Sequence, residues 1–243
     1  MSYALHYHRG IPGRGEFVRL LFVHAGTPFH DLPALPAQDA AQHFAPPLLR
    51  YTSAADAPPD FAAEVELSQT PVILYFLASR LGLAPSDEAG RLAVQQRVET
   101  ILDLANEVHD VHHPVDASLY YEDQRDVSLR RAPYLLQLRV PKFLSTFAAQ
   151  VSASGNGWLH SSGVSAADLV LFHLLEGLAY AFPRYFGTLK KEARFAPLFE
   201  LQSRLRETES IQRYLKSEAR TPFNEYDLFR HYPELDAEYT GKV

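Results

Sequence analysis

Apolar and polar residues alternate over Tyr3-Ala4-Leu5-His6-Tyr7, which predicts a short strand. The rhythm then changes. Across Arg14 to Ala25, the residues Phe17, Leu20, Leu21 and His24 recur at helical spacing on one face, and Gly26 supplies the usual left-handed stop. Phe29 to Leu32 predicts a second short strand, and Pro46-Pro47-Leu48-Leu49-Arg50-Tyr51 a proline-led third. A polar, proline-containing insert from Thr52 to Asp60 leads to a fourth alternating stretch at Glu64 to Leu67. Ser68, Gln69 and Thr70 then stand at a helix start, with Pro71 in the first turn, where a missing N–H is no loss. Val72, Ile73, Leu74, Phe76, Leu77 and Leu81 follow at helical spacing. The order is strand, helix, strand, helix or loop, strand, strand, helix. That is a small α/β sandwich, and it fits a thioredoxin-like fold.

Gly82-Leu83-Ala84-Pro85-Ser86 breaks the chain into two regimes, predicting one domain over 1–82 and an all-helical one over 88–243. Asp87 to Val111 has a helical rhythm, and Leu129 to Val151 predicts a long helix interrupted or bent near Pro133 and Pro141. Ser165 to Phe182 is the most apolar helix and so the expected core of the second domain. Ser165 and Asp168 form its capping box. Leu198 to Leu205 and Ile211 to Leu215 predict two shorter helices. The final stretch is irregular and aromatic (Phe223, Tyr226, Phe229, Tyr232), so it is expected to pack on the body.

Composition narrows the function classes. The 243 residues are 47% hydrophobic and 21% charged, enough to bury a real core. A net charge of -6 without a basic block argues against nucleic acid as the main partner. No apolar run has the length of a membrane span, and Met1-Ser2-Tyr3-Ala4 lacks the features of a signal peptide. There is no cysteine, which excludes disulfides, thiolate metal sites and cysteine nucleophiles. The expected compartment is the cytoplasm.

One local feature suggests chemistry. A helix start leaves unpaired N–H groups and a partial positive charge. With Ser68, Gln69 and Thr70 there, it reads as a plain cap or as a receptor for a small carboxylate. His109, His112 and His113 are spaced along one helix but lack a further ligand motif, so no metal site is expected.

Four separated stretches together resemble a cytosolic glutathione transferase. Tyr3 to Tyr7 followed by Gly13-Arg14-Gly15-Glu16 is similar to the first strand and helix of the tyrosine-type classes. Ala45-Pro46-Pro47-Leu48 resembles the family's cis-proline segment, and Ser68-Gln69-Thr70 its Gln-Ser pair with threonine for serine. Gly157-Trp158-Leu159 through Ser165-Ala166-Ala167-Asp168-Leu169 resembles the capping box of its buried helix. The nearest look is to sigma-like and to fungal or bacterial relatives.

The resemblance implies a thioredoxin-like N-terminal domain that binds glutathione, then an all-helical domain with a hydrophobic substrate site. Tyr7 would donate its hydroxyl hydrogen bond to the glutathione sulfur, and Arg14 would support the tyrosine. Ala45 and Pro46 would meet the cysteinyl backbone. Of the two prolines either could be cis, and the P-x-L pattern with Leu48 favours Pro46. Gln69 and Thr70 would hold the γ-glutamyl end. Relatives use tryptophan and lysine for the glycyl carboxylate. Between Pro36 and Phe44 this chain has neither, and Gln42 and His43 are the polar candidates. Tyr120, Tyr121 and the tail would line the second-substrate pocket. The implied activity is conjugation of the glutathione thiolate to hydrophobic electrophiles, a detoxification reaction, by a homodimer with glutathione as co-substrate and no other cofactor. The alternatives are a non-catalytic ligand- or protein-binding module of the same fold, or a glutathione-dependent isomerase or peroxidase on the same site.

Overall fold

The computed structural model describes residues 1–36, 38–39, 42–53 and 64–241. Its first part holds β1 (Ser2–Tyr7), α1 (Gly13–Ala25), β2 (His30–Pro33), β3 (Leu48–Thr52), β4 (Glu64–Ser68) and α2 (Thr70–Arg80). The strands form one sheet in the order β2-β1-β3-β4. β1 runs parallel to β2, with Tyr7 opposite Pro33, and antiparallel to β3, with Leu5 opposite Leu49. This is the thioredoxin-like arrangement that the alternation predicts. Tyr3, Leu5, Leu49 and Tyr51 point into a core shared with Phe17, Leu21 and Phe22 of α1 and with Ile73, Leu74 and Leu77 of α2. β3 begins at Leu48 rather than at the prolines, which have no N–H for the sheet. Of the polar insert, residues 54–60 lie outside the described residues.

The second part is helical: α3 (Glu88–His112), α4 (Arg125–Tyr134), α5 (Val140–Ser154), α6 (Ala166–Ala181), α7 (Pro183–Leu189), α8 (Ala196–Glu207) and α9 (Glu209–Leu215). Asp87 caps α3 by accepting the Gly90 N–H at 2.8 Å. The expected interruption near Pro133 and Pro141 takes the form of a wider, π-type turn over Leu135–Arg139 joining α4 to α5. α7 escapes a periodicity reading because it is a single short segment begun by Pro183.

α6 is buried along almost its whole length and packs against α1, α3, α7 and α8. Asp168, with no exposed surface, holds its start together. One carboxylate oxygen accepts the Leu159 N–H at 2.7 Å, and the other accepts the Ser165 N–H at 2.8 Å and the Ser165 hydroxyl at 2.7 Å. No single described helix is long and apolar enough to cross a membrane. α6 and α7 qualify only as a pair, and they are bent by 119°.

The tail returns to the first part of the chain. Phe229 is fully buried and lies flat on α6 where Gly177 leaves room: a Cβ at Gly177 would sit 2.3 Å from its ring. Asn224 donates to the Gly10 carbonyl at 2.8 Å, and Asp227 accepts the Gly13 N–H at 2.7 Å. The C-terminal segment is therefore strapped over the start of α1.

Candidate functional site

Two adjoining cavities open where the two parts of the chain meet. The larger, about 430 Å³, runs between the loop before β3, the start of α2 and the flank of α3. The smaller, about 180 Å³, lies over the start of α1 beneath the tail. Arg14 and Pro46 line both, so they form the boundary.

Tyr7 lines the smaller cavity at the end of β1, 6% exposed. Its hydroxyl oxygen accepts the Arg14 backbone N–H at 2.9 Å. Burial raises its pKa, that N–H opposes the rise, and the charge of Asp227 reinforces it. The phenol therefore keeps its proton at neutral pH and has it available to donate. This close seat requires glycine on α1. A Cβ at Gly13 would come 2.3 Å from the Tyr7 hydroxyl, and one at Gly15 2.7 Å from its ring. Tyr3, the nearest alternative phenol, is packed in the sheet core against Phe22 and Tyr51.

Arg14 reaches the phenol through its backbone, while its guanidinium donates to Asn106 Oδ1 of α3 at 2.8 Å. Ala45, Pro46, Gln69 and Thr70 all line the larger cavity. Gln69 precedes α2 with a φ of 71°, the sole positive value among described non-glycine residues. Strain of this kind is common where a ligand site dictates the backbone. Glu99 and Asp103 face the same cavity from α3.

Three expectations are corrected. The cis peptide bond joins Pro46 to Pro47, so Pro47 rather than Pro46 is the cis residue. Neither proline has an N–H, which leaves Phe44 and Ala45 as the backbone donors of this wall. Tyr120 and Tyr121 line neither cavity. Tyr120 is 78% exposed, and Tyr121 is buried, stacked 3.7 Å from Tyr232, with its hydroxyl on Glu234. The smaller cavity is also less apolar than was expected of a second-substrate pocket, because Ile11 and Leu228 share it with His109, Asp227 and Arg230.

Gln42 is exposed and outside the lining of both cavities. His43 is engaged with β4, at 3.2 Å from Ser68 Oγ and 3.2 Å from Glu66. His109 and His113 stack at 4.9 Å, and His112 is fully buried with both ring nitrogens unpartnered, so burial holds its pKa well down and the ring is neutral. Among the described residues no group of three or more histidines or carboxylates is placed to hold a metal ion.

The fold is that of a two-part protein, a thioredoxin-like part and a helical part with paired cavities where they meet. Residues 109–218 match the family model described as glutathione S-transferase, C-terminal domain. Solved structures agree along most of the chain. A prostaglandin synthase D of Nilaparvata lugens is 16% identical with a TM-score of 0.67, covering 92% of this chain and 100% of that one. A sigma class glutathione transferase of Fasciola hepatica is 21% identical with a TM-score of 0.66, covering 91% and 99%. A monomeric glutathione S-transferase of the hookworm Necator americanus is 19% identical with a TM-score of 0.64, covering 92% and 100%. Comparison with curated proteins finds no match. The chain has the glutathione S-transferase fold, and residues 109–218 resemble that family's C-terminal domain. The matched structures include sigma, pi and Nu classes and single out none of them.

Proposed function

We propose that the protein is a glutathione transferase joining the glutathione sulfur to hydrophobic electrophilic small molecules. The observation that carries this reading is the Tyr7 hydroxyl, which accepts the Arg14 N–H and keeps its own proton free beside the boundary of the two cavities. In this reading the γ-glutamyl carboxylate sits at Gln69, Thr70 and the free N–H groups of α2, with Glu99 and Asp103 across from it to suit the ammonium. The cysteinyl unit lies along Ala45 and Pro46, bringing its sulfur toward Tyr7. A free thiol has a pKa of about 8.5, so most of it is unreactive at neutral pH. A fixed donor stabilises the thiolate more than the thiol and lowers that value. The thiolate then attacks an electrophilic carbon held in the smaller cavity. No metal or redox step enters this scheme.

The purified chain is expected to bind a glutathione column and to conjugate chlorodinitrobenzene. Failure to bind glutathione would overturn the reading. Binding without turnover would support a second reading, a non-catalytic module, which the lack of tryptophan and lysine between Pro36 and Phe44 favours.

We also propose a cytoplasmic homodimer. Phe44 is 95% exposed, and Val72 and Leu92 are 45% and 51% exposed on α2 and α3, so a partner has apolar surface to cover. Sedimentation equilibrium should give about twice the 27.4 kDa of the chain, and a mass of one chain would reject the dimer.

A further inference from the structure

The smaller cavity contains a carboxylate that the scheme above does not use. Asp227 belongs to the tail, is 1% exposed, and lines the cavity together with Tyr7, Arg14 and His109. Its Oδ1 accepts the Gly13 N–H at 2.7 Å, whereas Oδ2 is buried with no hydrogen-bond partner. The first two amides of α1 are thus divided: Gly13 serves Asp227, and the next, Arg14, serves Tyr7 at 2.9 Å. A carboxylate oxygen buried without a donor is costly, and such groups concentrate at functional sites.

Tyr7 can stabilise a thiolate, but it cannot remove the thiol proton while it keeps its own. Resting on the transferase reading, we infer that Asp227 is the acceptor of that proton. The S–H bond breaks with its electron pair left on sulfur, and an O–H bond forms on Oδ2. The result is a thiolate facing the Tyr7 hydroxyl and a neutral carboxyl. The cavity holds one negative charge before the transfer and one after it, so two like charges never share a poorly solvated space. After product leaves, the proton is lost to solvent through the cavity mouth and the carboxylate is restored.

The surroundings suit an acceptor that must both take and release a proton. Burial pushes the Asp227 pKa up to about 6, opposed by the Leu228 and Gly13 N–H groups and by Arg220 of the tail, and reinforced by Glu16 of α1. Tyr7 of β1 faces it, and Tyr180 of α6 lies within its field. Arg230 donates to its backbone carbonyl at 2.8 Å, and His109 of α3 lines the far wall. Tail position explains why the residue is invisible to a motif search: it joins its amide partner across 214 positions of sequence.

The test counts protons. Glutathione is added to the full-length protein near neutral pH; thiolate is measured by its ultraviolet band and released protons by an indicator dye in weak buffer. Wild type should release clearly fewer protons than it forms thiolates, because Asp227 retains them. Asp227→Asn preserves an acceptor for the Gly13 N–H and should release one proton per thiolate, with a lowered kcat/KM and an unchanged glutathione KM. Asp227→Glu should restore part of the retention. A one-to-one ratio in wild type, or an Asp227→Asn variant with wild-type proton counts, overturns the proposal while leaving the transferase reading intact. No thiolate in wild type overturns the transferase reading itself and this proposal with it.

Discussion

Replacing Tyr7 with phenylalanine should lower kcat/KM for conjugation by about a hundredfold or more, with the glutathione KM changed less than severalfold. The ring itself keeps its seat, because Gly15 and Gly13 also leave room against its carbons. What disappears is a hydroxyl whose oxygen is fixed by the Arg14 N–H at 2.9 Å and whose proton, in the proposed scheme, is donated to the glutathione sulfur. A donor of this kind that is already oriented needs no reorganisation when charge builds on sulfur, which is why its loss falls on kcat. The sign with pH follows. Without the donor, the bound thiol returns toward its free pKa of about 8.5, so the ascending limb of the pH–rate profile moves to higher pH. Activity lost at neutral pH should be partly recovered in alkaline buffer. The variant also strands the Arg14 N–H beside a buried ring, a cost of about 1–2 kcal/mol in stability. Comparing pH profiles with denaturation midpoints separates the two effects. Wild-type turnover in the phenylalanine variant would remove Tyr7 from the chemistry.

The parts of this site that could be read from the sequence are those set by local rules. Strand alternation puts Tyr7 at the end of β1. The left-handed Gly26, with a φ of 63°, ends α1 where the pattern stops. Ser165 and Asp168 announce the start of α6 three residues apart. Gln69 and Thr70 mark the start of α2, although the positive φ of Gln69 could not be foreseen, since left-handed backbone is mostly the province of glycine. What stayed hidden depends on long-range contact. Asp227 and Arg230 lie in a tail with no periodicity, and only its aromatic content hinted that it packs on the body. Tyr120 and Tyr121 showed the limit of composition: adjacent tyrosines suggested a pocket wall, yet one faces solvent and the other is committed to Tyr232 and Glu234. Which proline is cis likewise depends on the turn that the folded chain must make, not on the two identical residues.

The largest stability effect is expected at Glu16, a residue that the first-helix motif includes without revealing its use. Glu16 is 1% exposed, and it holds three elements to one point. Tyr214 of α9 donates its hydroxyl at 3.0 Å, Arg19 of the same helix lies at 3.4 Å, and Arg220 at the start of the tail approaches to 2.9 Å. The Arg220 approach is outside hydrogen-bonding direction, so its attraction is coulombic. Arg19 has a second anchor in Asp31, whereas Glu16 is the only carboxylate paired with Arg220 among the described residues. Glu16→Ala therefore takes from one nearly buried cation its direct ion-pair partner and leaves one tyrosine hydroxyl without an acceptor. Breaking a buried pair from one side costs about 3–5 kcal/mol. At roughly 2–4 °C per kcal/mol for a chain of this size, the melting temperature should fall by about 6–20 °C. Glu16→Gln keeps an acceptor for Tyr214 but no charge for Arg220 and should fall between wild type and the alanine variant. The same loss slackens the strap that carries Asn224 and Asp227 to the start of α1. Backbone amides of residues 220–230 should then exchange with deuterium faster in Glu16→Ala, at temperatures where the helical core is still protected. A melting temperature within about a degree of wild type would show that Arg220 finds its stabilisation elsewhere, over the ring of Phe223 that lies 5.0 Å from its guanidinium carbon.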